Sequence, residues 1–98
     1  MTLPIYQVDA FTGKIFSGNP AAVVPLEKWL DDEILQNIAM ENNLSETAFF
    51  VKEEDKYHIR WMTPQSEVPL CGHATLASSY VIFNFIEKDK NKIIFNSK

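Results

Sequence analysis

Apolar and polar positions change their spacing several times along this chain, and each change marks an element. Residues 3–9, LPIYQVD, alternate loosely and carry Ile, Tyr and Val, which predicts a first strand. Turn-forming residues Gly13, Gly18, Asn19 and Pro20 follow in TGKIFSGNP. AAVVPL then predicts a short apolar strand ended by Pro25. From Asp31 to Asn42 the period lengthens. Leu30, Ile34, Leu35 and Ile38 fall at helical spacing with Glu33, Gln36, Asn37 and Glu41 between them, which predicts an amphipathic surface helix. Its acidic start suits the positive end of the helix dipole. The two-residue period returns in ETAFFVK and YHIRWMT, joined by the acidic turn EEDK. Thr47, Phe49 and Val51 are expected to share one strand face, and Tyr57, Ile59 and Trp61 one face of the returning strand.

After the hairpin, TPQSEVPLC reads as a loop punctuated by Pro64 and Pro69. ATLASSYVIFNFI predicts a second helix that is apolar or small on nearly every side, and KNKIIFNSK a charged turn and a last strand. A helix hydrophobic all round belongs in an interior. A surface helix, several strands and one buried helix predict an α+β fold with the sheet curled around that helix. Ala and Ser at the start of the helix let strands approach it closely.

Composition narrows the classes of function. The 98 residues fit one small domain, and 46% apolar against 22% charged residues is a globular mixture rather than a disordered one. The net charge is −4 and the nine basic residues are dispersed, so no nucleic-acid surface is expected. One cysteine excludes an internal disulfide and suits a reducing compartment. Residues 68–86 lack Asp, Glu, Lys and Arg, yet Pro69, Gly72, His73, Thr75, Ser78, Ser79 and Asn84 make them too polar to span a membrane. MTLPIYQVD carries Asp9 and no basic stretch ahead of an apolar run, so no signal peptide is expected and the cytoplasm is the default location.

Two places can carry chemistry. Cys71-Gly72-His73 stands at the start of the second predicted helix, where unpaired backbone N–H groups and the dipole favour an anion such as a carboxylate. A cysteine there is expected to have a lowered pKa and to serve as base or nucleophile, and His73 to donate to a substrate oxygen. The competing description is a small buried cysteine, a turn glycine and a histidine bonded to backbone. Glu46, in NLSETAFF, lies where a polar loop enters an apolar strand, a setting that raises a carboxyl pKa and suits proton transfer. The alternative is a strand-end glutamate that is capped by Ser45 or exposed. Ser45, His73 and Asp9 supply the residue types of a hydrolase triad without a G-x-S-x-G elbow. His58 is expected on the solvent side of its strand. Two histidines and one cysteine show no metal-ligand spacing, and Gly13, Gly18 and Gly72 stand too far apart for a phosphate loop.

Three stretches in order, VDAFTGKIFSGNPAAVV, LSETAFF and RWMTPQSEVPLCGHATLA, resemble the PhzF-like family. These are phenazine-biosynthesis-type isomerases related in fold to diaminopimelate epimerase and proline racemase. The resemblance implies that residues 1–98 are an N-terminal half, a mixed sheet curled around a central helix, with the active site in a cleft between two halves. It implies proton transfer on a small carboxylate-bearing molecule without metal or organic cofactor. Glu46 takes the place of the family's acid/base glutamate, Gly72 and His73 the place of its substrate-holding Gly-His, and Asn19 stands in the turn bordering the cleft.

Family chains are much longer, so the second domain with its share of the cleft is expected to lie outside these 98 residues. They are either a fragment of a longer gene product or a truncated or separately encoded half. The 98 residues alone are therefore expected to be inactive, and a homodimer or association with the missing domain is expected. Cys71 marks a second departure, because the epimerase and racemase relatives place one of two proton-transfer thiols at this helix start. The alternatives to a Glu46 isomerase are thus a two-thiol racemase or epimerase using Cys71, and a half-domain without catalysis. The substrate is not encoded in any of these patterns.

Overall fold

The computed structural model describes residues 3–10, 19–44, 46–89 and 92–97; for residues 9, 10, 19 and 20 it describes the backbone only. The elements run β1 (Tyr6–Ala10), β2 (Asn19–Leu26), α1 (Asp32–Asn42), β3 (Glu46–Glu53), β4 (Lys56–Met62), β5 (Glu67–Val68), α2 (Gly72–Val81) and β6 (Phe95–Asn96). A π-helical turn, Ile82–Ile86, continues α2. Strand order in the sheet is β1-β2-β3-β4-β5, with β6 also on β4. The β2/β3 and β4/β6 pairs are parallel and the others antiparallel, so the sheet is mixed. Among the described residues no helix is long and apolar enough to cross a membrane.

The alternation seen in the sequence sorts the sheet into two apolar faces. Ala21, Val23, Ala48, Phe50, Tyr57, Ile59 and Trp61 form one core with Ala74, Ala77, Val81 and Ile82 of the α2 segment. Val24, Phe49, Val51 and Met62 face the other way and pack against Leu35 and Ala39 of α1. Register carries the pattern across the hairpin, since Phe50 pairs with Ile59 and Ala48 with Trp61. The two-residue turn Glu54-Asp55 places Glu54 at φ 58°. Asp31 stands ahead of α1 as expected, and Asn43 ends that helix in the left-handed conformation, a role its short polar side chain tolerates.

Three features differ from the expectations. Ala74, Ala77, Ser78 and Val81 are buried against the sheet, but Leu76, Tyr80 and Phe85 are more than half exposed. The helix is therefore covered on one side rather than enclosed, its cover coming from the inner face of the sheet. Inside the expected loop, Glu67 and Val68 make a two-residue strand against Met62 and Trp61. Finally, β2 runs through Pro25 to Leu26; β1 pairs no further than Val23, so on that side the missing N–H interrupts no ladder.

Polar clamps fix the outer elements to the hairpin. The Tyr57 hydroxyl donates to Glu87, which also meets Lys52 at 3.0 Å, so the segment after α2 is tied to β3 and β4. Burial, and then the Glu87 carboxylate, push the Tyr57 hydroxyl pKa upward. On the other face Arg60 donates to both oxygens of Glu67 at 2.8 Å and to Asp32 at 3.0 Å, and its guanidinium lies 5.5 Å from the centre of the Trp29 ring. Its bonds to Glu67 raise the pKa further, against the opposing effect of burial, so this buried cation stays charged. One residue thereby joins β4, β5 and the first turn of α1. Arg60→Met is expected to cost about 2 kcal/mol, the scale of charge-assisted hydrogen bonds, discounted because Asp32 is largely exposed. The loss should appear as a lower urea midpoint with an unchanged denaturant slope.

Candidate active site at the start of the second helix

The two-residue period of β3 puts Glu46 on the face that carries Ala48 and Phe50, the face beneath α2. Its partner in register is Ala21, which is small and fully buried, so a helix can sit close above this corner of the sheet. On the helix, His73 precedes Ala77 by four residues and points to the same side. The result is a contact of 2.7 Å between His73 Nε2 and Glu46 Oε1, both side chains being largely buried. The approach is close but poorly aligned, so these two buried atoms lack a well-formed hydrogen bond. Glu46 is thus neither exposed nor free, and His73 meets side chains rather than backbone.

The first turn of α2 is anchored from β4. Trp61 Nε1 donates to Thr75 Oγ1 at 3.0 Å, and Thr75 Oγ1 donates to the Cys71 carbonyl at 2.8 Å. Neither residue is a site candidate in the sequence, where Trp61 shares a strand face with Tyr57 and Ile59 and Thr75 is one of the polar residues arguing against a membrane span. The signal was the spacing of Thr75 four residues after Cys71, which allows a hydroxyl to reach back to that carbonyl. Cys71 itself is extended, at φ −147° and ψ 105°, and does not cap the helix with its side chain.

Cys71 Sγ lies 3.5 Å from His73 Nδ1, and the Glu46 carboxylate also acts directly on the thiol. The expectation of a lowered thiol pKa is overturned. Burial pushes the Cys71 thiol up; the N–H groups of Ala74 and His73 oppose this, and the nearby Glu46 carboxylate adds to the rise. A helix start lowers a thiol pKa only where water and opposite charge help, and here burial and a like charge prevail. The donor atoms of Glu46, Cys71 and His73 all lie within 4.8 Å of one another, a three-donor cluster that sequence spacing did not reveal because Glu46 comes from another element.

Gly72 opens α2 with negative φ, and a Cβ built on it meets nothing within 4 Å. Neither backbone strain nor crowding within these residues requires glycine there. The Asn19 backbone pairs with Ala10 at the start of β2, two residues before the register partner of Glu46. Its side chain lies outside the described residues, as do Ser45 and the side chain of Asp9, so the triad of residue types noted above has no described geometry. His58 is remote from this site and pairs with Glu53 at 2.6 Å on a half-exposed part of the hairpin.

The raised thiol gives a direct prediction. Alkylation of Cys71 by iodoacetamide should be slower at neutral pH than that of a free cysteine, and should accelerate only above the ordinary thiol range near ~8.5. Glu46→Gln removes the like charge, lowers the thiol pKa and should speed alkylation at pH 8. A rate in the native protein equal to that of a free cysteine at every pH contradicts this.

Comparison with known proteins places the chain. The PhzC-PhzF family, described as phenazine biosynthesis-like protein, matches residues 8–98. An uncharacterized isomerase of Pseudomonas aeruginosa is 61% identical over 87 residues, covering 89% of this chain and 34% of its own. A human phenazine biosynthesis-like domain-containing protein is 50% identical over 103 residues, covering 97% of this chain and 36% of its own. The crystal structure of a PhzF-family protein of Enterococcus faecalis superposes with a TM-score of 0.93 at 55% identity, over the whole of this chain and 38% of that one. A predicted epimerase of Pseudomonas aeruginosa shares the fold, with a TM-score of 0.84 at 22% identity. The chain thus spans about a third of the length of these relatives. A mixed sheet in an α+β fold, the ETAFF strand that places Glu46 and the GHATLA helix that places His73 accompany a match from residue 8 onward: this chain belongs to the PhzC-PhzF, phenazine biosynthesis-like family.

Proposed function

We propose that this chain supplies the acid/base half of a cofactor-independent isomerase that moves a proton on a small, carboxylate-bearing substrate. The observation that carries the reading is the Glu46–His73 contact of 2.7 Å at the start of α2. A carboxylate takes a proton from carbon and returns it at another position when it is held still and partly shielded from water. The imidazole orients the carboxylate, and the N–H groups of the first helical turn hold the substrate's own carboxylate. Open space above Gly72 suits such an approach, since a ligand can come against the bare backbone. Asn19 borders the same end of the sheet and is assigned a substrate-side role. Relatives that are named isomerases support the reaction class.

The cleft is completed by a second domain under this proposal, supported by the greater length of the relatives and by the uncovered side of α2. Leu76, Tyr80 and Phe85 there form an apolar surface with Tyr6, whose ring stacks on Phe85 at 5.0 Å. The 98 residues alone are then inactive. Cys71 keeps a secondary place: the two-thiol alternative draws on its nearness to His73, but a thiol with a raised pKa is a poor match for a thiolate base at neutral pH.

Variants of a polypeptide of the relatives' full length distinguish these readings. Glu46→Gln should lower kcat by roughly a hundred- to ten-thousand-fold, the usual range for a general acid–base group, while Cys71→Ala keeps most of the activity. The two-thiol reading requires the reverse. Gly72→Ala should leave the melting temperature unchanged and raise KM, because the added methyl has room in the protein but stands where substrate approaches. An unchanged KM removes Gly72 from the site. If Glu46→Gln turns over at the native rate, the acid/base assignment is wrong.

A further inference from the structure

We propose that Cys71, His73 and Glu46 form a binding site for a thiophilic divalent cation of the Zn²⁺ class. Cys71 Sγ and His73 Nδ1 are the ligands, and Glu46 meets the other ring nitrogen while lying near the thiol as well. Sγ and Nδ1 stand 3.5 Å apart. Two donors about 2.3 Å and about 2.05 Å from a tetrahedral cation are separated by about 3.5 Å, so the spacing already matches. The Glu46 carboxylate, 2.7 Å from Nε2, takes the position from which a carboxylate fixes the tautomer of a metal-bound histidine. A sulfur and an imidazole nitrogen select Zn²⁺ over the oxygen-seeking Mg²⁺ and Ca²⁺.

A second observation points the same way. Glu46 Oε1 and His73 Nε2 are buried without a well-formed hydrogen bond. A cation on Nδ1 obliges the imidazole to carry its proton on Nε2, which makes that atom a donor 2.7 Å from Oε1, and a small turn of the ring then aligns the two. Binding sends the thiol proton of Cys71 to solvent and leaves the outer coordination positions to water, which reaches the site because all three side chains, though largely buried, keep some exposure. The other histidine offers no such set among the described residues: His58 pairs with Glu53, and the chain's one cysteine is already part of the proposed site. Occupancy blocks the proton chemistry proposed for Glu46, a consequence that rests on that reading; the binding itself does not.

Cobalt titration of the metal-free chain tests the binding directly. Co²⁺ should produce thiolate-to-metal absorption in the near ultraviolet that saturates at one ion per chain and disappears on adding Zn²⁺. Cys71→Ser should abolish the absorption. Zn²⁺ affinity by calorimetry should fall at least about tenfold in Cys71→Ser and about tenfold in Glu46→Gln, and should be unchanged in His58→Gln. Circular dichroism confirms that each variant is folded, and the native titration decides the matter without any variant. No thiolate absorption from the native chain at millimolar Co²⁺, or undiminished Zn²⁺ affinity in folded Cys71→Ser, overturns the proposal. Because the readout is binding and not turnover, its failure leaves the isomerase reading standing, and the converse holds.

Discussion

The close approach of α2 to the sheet is the constraint on which the rest of this structure depends. Small residues on both sides make it possible: Ala21 and Ala48 below, Ala74, Ala77 and Ser78 above, all nearly or wholly inaccessible to solvent. The Ser78 hydroxyl is satisfied by the Ala74 carbonyl at 2.9 Å, so even the polar member of the face can be buried. Larger side chains at these positions would lift the helix and part His73 from Glu46. Trp61 and Thr75 then set where along the sheet the helix begins. Packing chosen for closeness is therefore also what assembles the site.

Period and register did most of the work of making this fold legible. The hairpin follows from alternation, and that same alternation assigns Phe49 and Val51 to the α1 side and Ile59 and Trp61 to the α2 side. The position of Glu46 follows too, as the polar member of an otherwise apolar row. What did not follow was cover. Apolarity around α2 shows which faces favour burial and not which elements are present to bury them, so Leu76, Tyr80 and Phe85 are exposed. β5 was hidden by its length, two residues between prolines, and is recognisable only once Arg60 is seen to hold Glu67 in place.

At the site, a local rule failed for a long-range reason. A cysteine at a helix start is expected to ionise readily, and the N–H groups of His73 and Ala74 do act in that direction. Burial outweighs them, and Glu46, a residue 25 positions earlier, adds a like charge that no local window contains. The same proximity changes the chemistry assigned to each side chain. Under the proposed function Cys71 is a protonated neighbour, while Glu46 and His73 are the pair assigned to the proton. Membership of the PhzC-PhzF family and the isomerase names of its relatives bear on the general reaction class and not on the division of roles.

The central claim is that Glu46 and His73 act as one unit because the fold holds them together. A double-mutant cycle on urea unfolding of the chain, using Glu46→Gln, His73→Gln and the double variant, measures that coupling directly. A coupling of about 1 kcal/mol is predicted, within the range found for residues in contact. Single effects that add to within ~0.3 kcal/mol, as for distant and independent residues, contradict it.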